Sequence, residues 1–330
     1  MRNNLLPNNY WKVLRMTDDV TQSPEDHDSP VDMTETRAGF VAIIGAPNAG
    51  KSTLVNELVG AKVSIVTHKV QTTRTRILGI ALRGAAQVGF VDTPGIFKPK
   101  GRLDRAMVSA AWQGSQDSDA TVLLIDSVIG MNDEVEAILK GLEQAGRKAI
   151  LALNKIDLVK RDSLLMLADR LNKTGQFTQI FMISATKSDG TEDLINHVAG
   201  MMPKGPWLFP EDQLSDMPQM LLAAEVTREK LFINVHQELP YALTVETESY
   251  DIKKDGSIRI QQVIYVQRES QRSIILGKNG SKVRTIGTAA REELSEMFET
   301  PVHLFIYVKV RDRWQEDPER YRVWNLDFQA

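Results

Sequence analysis

Cysteine is absent from the 330-residue chain. That excludes disulfide staples, thiolate zinc sites, a thiol nucleophile and cysteine-held iron–sulfur clusters. It agrees with a reducing cytosol. Long apolar runs are missing too. The most apolar stretches, Ala120 to Ile125 and Ala149 to Leu153, fall far short of the roughly 20 residues that a membrane-spanning helix needs, and they read as buried strands. The amino terminus lacks the apolar stretch of a secretory signal. Basic charge is not in excess: 40 Lys and Arg against 43 Asp and Glu leave −3, with a pI near 6.0. A general basic coat for nucleic acid is excluded, and only a local basic patch is left.

What is present is an ordinary globular composition, 42% hydrophobic and 25% charged, long enough for about two domains. Residues 1–36 are polar and lack a sustained apolar period, and are expected to form a disordered extension. Tyr10, Trp11, Val13 and Leu14 leave a short docking helix as an alternative, and Met16 or Met33 as alternative starts. From Gly39 the texture changes. Phe40–Ile44, Gln87–Val91, Thr121–Ile125, Ala149–Leu153 and Gln179–Ile183 are apolar runs separated by helical patterns such as Leu164, Leu165, Leu167, Ala168 and Leu171. Near-continuous apolar strands imply burial on both faces of a largely parallel sheet, and their alternation with helices implies a doubly wound α/β domain over 37–202. Pro203, Gly205, Pro206 and Pro218 mark a turn-rich linker, 203–218. Over 219–330 the pattern predicts a helix to about 238, strands from Ala242 to Tyr250 and Ser257 to Gln267 around the Lys254-Asp255-Gly256 turn, two helices flanking Gly277–Gly280, and a strand from Val302 to Val310. The order α-β-β-α-α-β makes a smaller α+β domain.

Gly45-Ala46-Pro47-Asn48-Ala49-Gly50-Lys51-Ser52, followed by Thr53, matches the phosphate-binding pattern G-x-x-x-x-G-K-[ST] between a strand and a helix. Glycines let backbone wrap phosphate oxygens, and the helix end offers unpaired N–H groups. Lys51 would neutralise the β- and γ-phosphates and Ser52 would ligate Mg²⁺. Asp92-Thr93-Pro94-Gly95 follows a strand, where a carboxylate can hold Mg²⁺ through water and the Gly95 N–H can meet the γ-phosphate. Asn154-Lys155-Ile156-Asp157 follows another. There the Asp157 carboxylate can accept from the N1–H and exocyclic amine of guanine, a donor pair that adenine lacks, while the Lys155 stem covers the base. Ser184-Ala185 can turn a backbone N–H toward guanine O6. All lie at carboxyl ends of strands, where open α/β sheets bind ligands. In this order they resemble the translation-factor-related P-loop GTPases. GTP would be the substrate and GDP the product.

Further residues sharpen the resemblance. Gln71-Thr72-Thr73-Arg74 is similar to the T-T-R segment of bacterial GTPases, which assigns Thr73 rather than Thr72 to Mg²⁺ and γ-phosphate. Ile96 follows Gly95 and cannot orient water as a glutamine there does. Relatives with this loop use the asparagine to hold a catalytic monovalent cation, which implies K⁺ at Asn48. In the second domain, Gly277-Lys278-Asn279-Gly280 is a G-x-x-G between helices. In KH domains such a loop clamps about four nucleotides. Arg268, Arg272, Lys278, Lys282 and Arg284 supply a plausible phosphate-facing patch. Ile274, Ile275, Val283 and Ile286 are expected in the core. Together with Glu238-Leu239-Pro240-Tyr241 and Glu269-Ser270-Gln271-Arg272, the chain from 37 to about 327 resembles the Era family of bacterial GTPases with a type II KH domain. The departures are Asn279, where relatives often carry glycine, and the amino-terminal extension. The resemblance implies a GTP-hydrolysing factor of 30S assembly that grips the 3′ end of 16S ribosomal RNA, is cytoplasmic, associates peripherally with the inner membrane, and does not bind DNA. A tRNA-modification GTPase and a non-catalytic RNA-binding module are the alternatives. The first would carry a long helical region and a carboxy-terminal cysteine, and this chain has neither.

Overall fold

A computed structural model describes residues 35–69, 72–235 and 239–330. The expectations for residues 1–34, Gln71 and Glu238 lie outside the described residues. The first module contains β1 (Arg37–Ile44), α1 (Lys51–Val59), β2 (Ile77–Arg83), β3 (Ala86–Asp92), α2 (Arg102–Gln116), β4 (Ala120–Asp126), α3 (Asp133–Gln144), β5 (Ala149–Asn154), α4 (Arg161–Asn172), β6 (Phe177–Met182) and α5 (Thr191–Met201). Its sheet has the order β2-β3-β1-β4-β5-β6. Strands β3, β1, β4, β5 and β6 are parallel. Every residue of β3, β4 and β5 is buried, as sheets covered on both faces require. One core packs α1 and α5 against one face, and another packs α3 and α4 against the opposite face.

Two strands depart from the sequence expectation. The Ile77–Arg83 run is an additional strand, β2, paired antiparallel to β3 through the tight Gly84-Ala85 turn. Strand β6 is half-exposed, because it is the sheet's edge. Residues 203–218 are more than a tether. The Ile80 N–H donates to Leu214 O at 2.8 Å, the Trp207 Nε1–H to Ala85 O at 3.0 Å, and Gln87 Oε1 accepts from Leu208 and Phe209 N–H. The segment therefore covers the β2 edge, whose open hydrogen-bonding groups would otherwise face solvent or another chain.

The second module contains α6 (Gln219–Asn234), β7 (Leu243–Ile252), β8 (Ile258–Val266), α7 (Glu269–Leu276), α8 (Ser281–Met297), β9 (Val302–Val310) and α9 (Pro318–Val323). The order β7-β8-β9 combines an antiparallel and a parallel pair, with α6, α7 and α8 on one face. The helix expected to reach about 238 ends at Asn234. Helix α9 was not expected. Asp317 caps it by accepting from the Glu319 N–H, and Pro318 opens it.

Helix α6 has buried residues almost all round, Glu225, Arg228 and Glu229 among them. It lies between its own sheet and the first module, so its charged side faces protein rather than water. Trp314, Tyr321, Trp324 and Leu326 share a core with Leu103, Ala106 and Met107 of α2. The carboxy-terminal segment thus closes back onto the first module.

Candidate nucleotide and RNA sites

The phosphate loop turns from β1 into α1. Gly50, at φ 98°, caps α1 with no side-chain hydrogen bond. A Cβ on Gly50 would stand 2.4 Å from Asn154 Nδ2, so only glycine fits. The first-turn N–H groups at Lys51, Ser52 and Thr53 have no helical acceptors, and with the helix dipole they favour an anion. Lys51 Nζ donates to Gly45 O at 3.2 Å and Ala46 O at 3.0 Å. Burial pulls its pKa down from 10.5 to about 8, against the opposing pull of Asp92 and Glu134. A phosphate would supply the negative charge this buried ammonium needs.

Beside it, Ser52 Oγ lies 2.7 Å from Asp92 Oδ2 and 2.9 Å from Thr73 Oγ1. Thr73 Oγ1 is 3.2 Å from the same carboxylate oxygen, and Ser64 Oγ donates to it at 2.7 Å. Thr72 instead bonds within its own loop, to Thr67 and Lys69. Burial pushes the Asp92 pKa up, while hydrogen bonds from Ser64 and Ser52, the charge of Lys51 and the Thr73 bond pull it back. Asp92 Oδ1 is buried without a partner. This corner of hard oxygen donors, with one carboxylate and an unspent buried oxygen, fits Mg²⁺, which takes one or two carboxylates beside substrate phosphates.

The Asp92–Gly95 segment rests on the loop. The Ile96 N–H donates to Gly45 O at 3.0 Å, and Gly95 lies against Pro47 so closely that a Cβ would meet it at 3.0 Å. The Thr93 hydroxyl donates to Ile43 O at 2.8 Å and is buried; it ties strands together. Pro94 is buried within the same segment. Ile96 is buried among apolar side chains. Asn48 takes a left-handed φ of 62° and is exposed at the loop's mouth.

The base-side residues converge as well. Asn154 Nδ2 donates to Ala49 O at 2.8 Å, and its Oδ1 accepts from the Ala185 N–H at 3.1 Å. Asn154 is therefore a brace between two loops. Lys155 Nζ donates to Asn48 O at 3.0 Å and pairs with Asp126 at 2.6 Å. The exposed Asp157 carboxylate accepts from Ser184 Oγ at 2.6 Å, which orients it. Sequence reasoning missed Ser64 and Asp126. Asp126 ends β4, the same position that drew attention to Asp92 and Asn154. Ser64 carries no such signal.

In the second module Gly277, Asn279 and Gly280 take φ values of 69°, 52° and 73°. Asparagine tolerates this left-handed region, so Asn279 fits where glycine would. A Cβ on Gly277 would lie 2.8 Å from Lys282 Cβ. Helix α8 starts after the loop with no side-chain cap and no acid in its first turn. Lys278, Arg268 and Arg284 are exposed and Lys282 is half-buried. Arg272 is half-exposed, donating to the exposed Glu269 at 2.6 Å and to Val308 O at 3.2 Å. Ile275 and Ile286 are buried and Val283 is half-buried. Ile274 is 49% exposed, contrary to the core expectation: α7 gives its inward position to Ile275, and the adjacent residue points away.

Residues 40–155 match the family model of the 50S ribosome-binding GTPases, and residues 238–315 match that of the KH domain. The GTPase Era of Rhizobium meliloti is 57% identical over 313 residues, 95% of this chain and 99% of its own. That of Agrobacterium fabrum is 58% identical over 308 residues, 92% of this chain and 97% of its own. Two solved structures superpose with a TM-score of 0.83 at 37% identity, each covering 88% of this chain. One, covered over 99% of its length, is a tyrosine-to-alanine variant of Aquifex aeolicus Era bound to GDP and aluminium fluoride. The other, covered over 98%, is an Era in complex with MgGDPNP and nucleotides 1506–1542 of 16S ribosomal RNA.

Proposed function

The chain belongs to the Era family of GTPases, and from that membership we propose that it is a GTP-switched RNA-binding factor that grips the 3′ end of 16S ribosomal RNA in the assembling 30S subunit. It hydrolyses GTP to GDP and phosphate. The observation that carries the reading is the convergence of Ser52, Thr73 and Asp92 on one corner beside Lys51, in a chain that also carries the open Gly277–Gly280 loop.

The α1 first turn and Lys51 hold the phosphates. Ser52, Thr73 and Asp92 hold Mg²⁺, which supplies charge neutralisation at the β- and γ-oxygens when bound. Asp157, oriented by Ser184, accepts from guanine, and the Lys155 stem covers the base. Gly95 brings its N–H to the γ-phosphate side. Ile96 offers no group to orient water, so positioning and charge do the catalytic work. Asn48, at the mouth of the loop, would hold K⁺, which would add positive charge beside the phosphates, and turnover in K⁺ would then exceed that in Na⁺ at equal ionic strength. Equal rates, or an unchanged rate in Asn48→Asp, would remove that role.

The Gly277–Gly280 loop and the exposed Arg268, Lys278 and Arg284, with the half-exposed Arg272 and Lys282, grip RNA backbone. No described helix is long and apolar enough to cross a membrane. Calorimetry tests the nucleotide assignment: GTP binds and ATP binds at least about a hundredfold more weakly, since Asp157 left unpaired penalises adenine. Equal affinities would overturn it.

A further inference from the structure

Three consecutive residues answer to three parts of the molecule. Thr73 stands in the Ser52–Asp92 corner. The Thr72 carbonyl accepts from Arg228 on α6. Arg74 crosses into the second module. Its Nη1 donates to Leu243 O at 2.8 Å and its Nη2 to Pro240 O at 3.2 Å, with its guanidinium over the rings of Trp314 at 5.5 Å and Phe232 at 5.9 Å. Arg228 lies over Phe232 as well, at 5.0 Å, and its Nε bonds Glu225 at 2.8 Å. The two arginines are 2% and 1% exposed. The same helix holds the earlier part of the segment: Glu229 accepts from the Val66 N–H at 2.8 Å and pairs with Lys62 at 2.7 Å, and Lys69 donates to Phe232 O and Val235 O.

A buried cation adds little stability compared with an apolar residue of like size, but removing it from its partners is costly. Burial and the neighbouring Arg228 pull the Arg74 pKa down to about 9, which leaves it charged at neutral pH. The guanidinium is therefore either seated with its carbonyls and rings or expelled to water, with no cheap intermediate. Neighbouring Cα atoms are about 3.8 Å apart, so Thr73 cannot travel far while Arg74 stays seated. The Arg228 bond to the Thr72 carbonyl fixes the backbone itself on the other side.

We propose that Arg74 is a positioning residue: seated in the KH module, it holds Thr73 in the magnesium corner, and thereby makes the triphosphate-bound state and the docked KH module favour each other. The coupling rests on the reading that the triphosphate state governs the RNA grip. Linkage makes it reciprocal. GDP offers no γ-phosphate for Thr73 to close upon, so GDP affinity is indifferent to the seat.

The test uses the full chain with Arg74→Ala and Arg228→Gln. It measures affinities for GDPNP and GDP, the Mg²⁺ concentration for half-maximal GDPNP binding, and affinity for an oligoribonucleotide of the 16S 3′ end in each nucleotide state. In Arg74→Ala, GDP affinity stays within about twofold, GDPNP affinity falls at least about tenfold, the Mg²⁺ requirement rises, and GDPNP no longer tightens RNA. Arg74→Lys recovers part of the loss. Wild-type GDPNP affinity in Arg74→Ala would overturn the proposal. If Arg74→Ala also loses GDP, Arg228→Gln decides: a lowered GDPNP-to-GDP preference supports the proposal, and an unchanged preference, or loss of GDP there too, overturns it. A wild-type chain whose RNA affinity ignores the nucleotide would sink the functional reading, while the GDPNP-to-GDP ratio of the variants would still judge Arg74.

Discussion

Lys51 is a buried ammonium whose pKa, without phosphate, falls from 10.5 to about 8. Between those values the unfolded chain binds more protons than the folded one, so the stability of the nucleotide-free protein rises with pH across that window and gains nothing below it. Bound phosphates hold Lys51 protonated. Binding above pH 8 therefore takes up a proton, and GTP affinity falls by roughly tenfold per pH unit there. Calorimetry in buffers of different ionisation enthalpy reads the uptake directly. A flat affinity from pH 7 to 9.5 would contradict this account of Lys51. Residues that local spacing singles out were legible in the sequence, and the fold brings them together: Gly45 to Ser52, Asp92 to Gly95, and Asn154 to Asp157. Ser64, Asp126 and Arg228 were not, because their partners Asp92, Lys155 and Thr72 lie 28, 29 and 156 residues away. The structure also changes what some motif residues do. Asn154 and Thr93 spend their polar groups on Ala49, Ala185 and Ile43, holding the loops that the ligand meets.

Among the elements, those with an uninterrupted apolar pattern and a glycine-marked end were readable. Strand β2 escaped because it joins β3 by a tight turn at the sheet's edge instead of alternating with a helix. Helix α9 escaped because it is short and its buried Tyr321 packs against another module, while Val323 is exposed, so no apolar face of its own is marked. The α7–α8 connection has the clearest consequence for function. Left-handed backbone strains any side chain at Gly277 and Gly280, and at Gly277 a Cβ would also come within 2.8 Å of Lys282. Gly277→Asp with Gly280→Asp adds strain and two negative charges where phosphate must lie. RNA affinity falls at least about tenfold, while GTP affinity holds within about twofold, because the nucleotide site draws no residue from this loop. Filter binding and calorimetry on the same preparation check both. Retained RNA binding would refute the loop's role.

At the scale of the molecule, composition suggested two modules and a linker. It could not show that the modules share a core, because an interface is made by residues that each domain's own periodicity leaves unexplained. The charged side of α6 and the aromatic carboxy terminus are such residues. Trp314 and Trp324 meet edge to face at 6.2 Å in a cluster that includes Met107 and Leu103. Thermal unfolding of the nucleotide-free chain is therefore one cooperative calorimetric transition, and Trp314→Ala, at a cost of about 3–5 kcal/mol, lowers it. Two resolved transitions in the wild-type chain would show that the interface is too weak to transmit a nucleotide signal.

The most direct test of the account is a fluorescence-anisotropy titration of a 16S 3′-end oligoribonucleotide with the full chain, in Mg²⁺ with GDPNP and then with GDP. Tighter binding in GDPNP is the predicted result. Identical curves, or tighter binding in GDP, would contradict the claim that a guanine nucleotide in the first module governs the grip of the second.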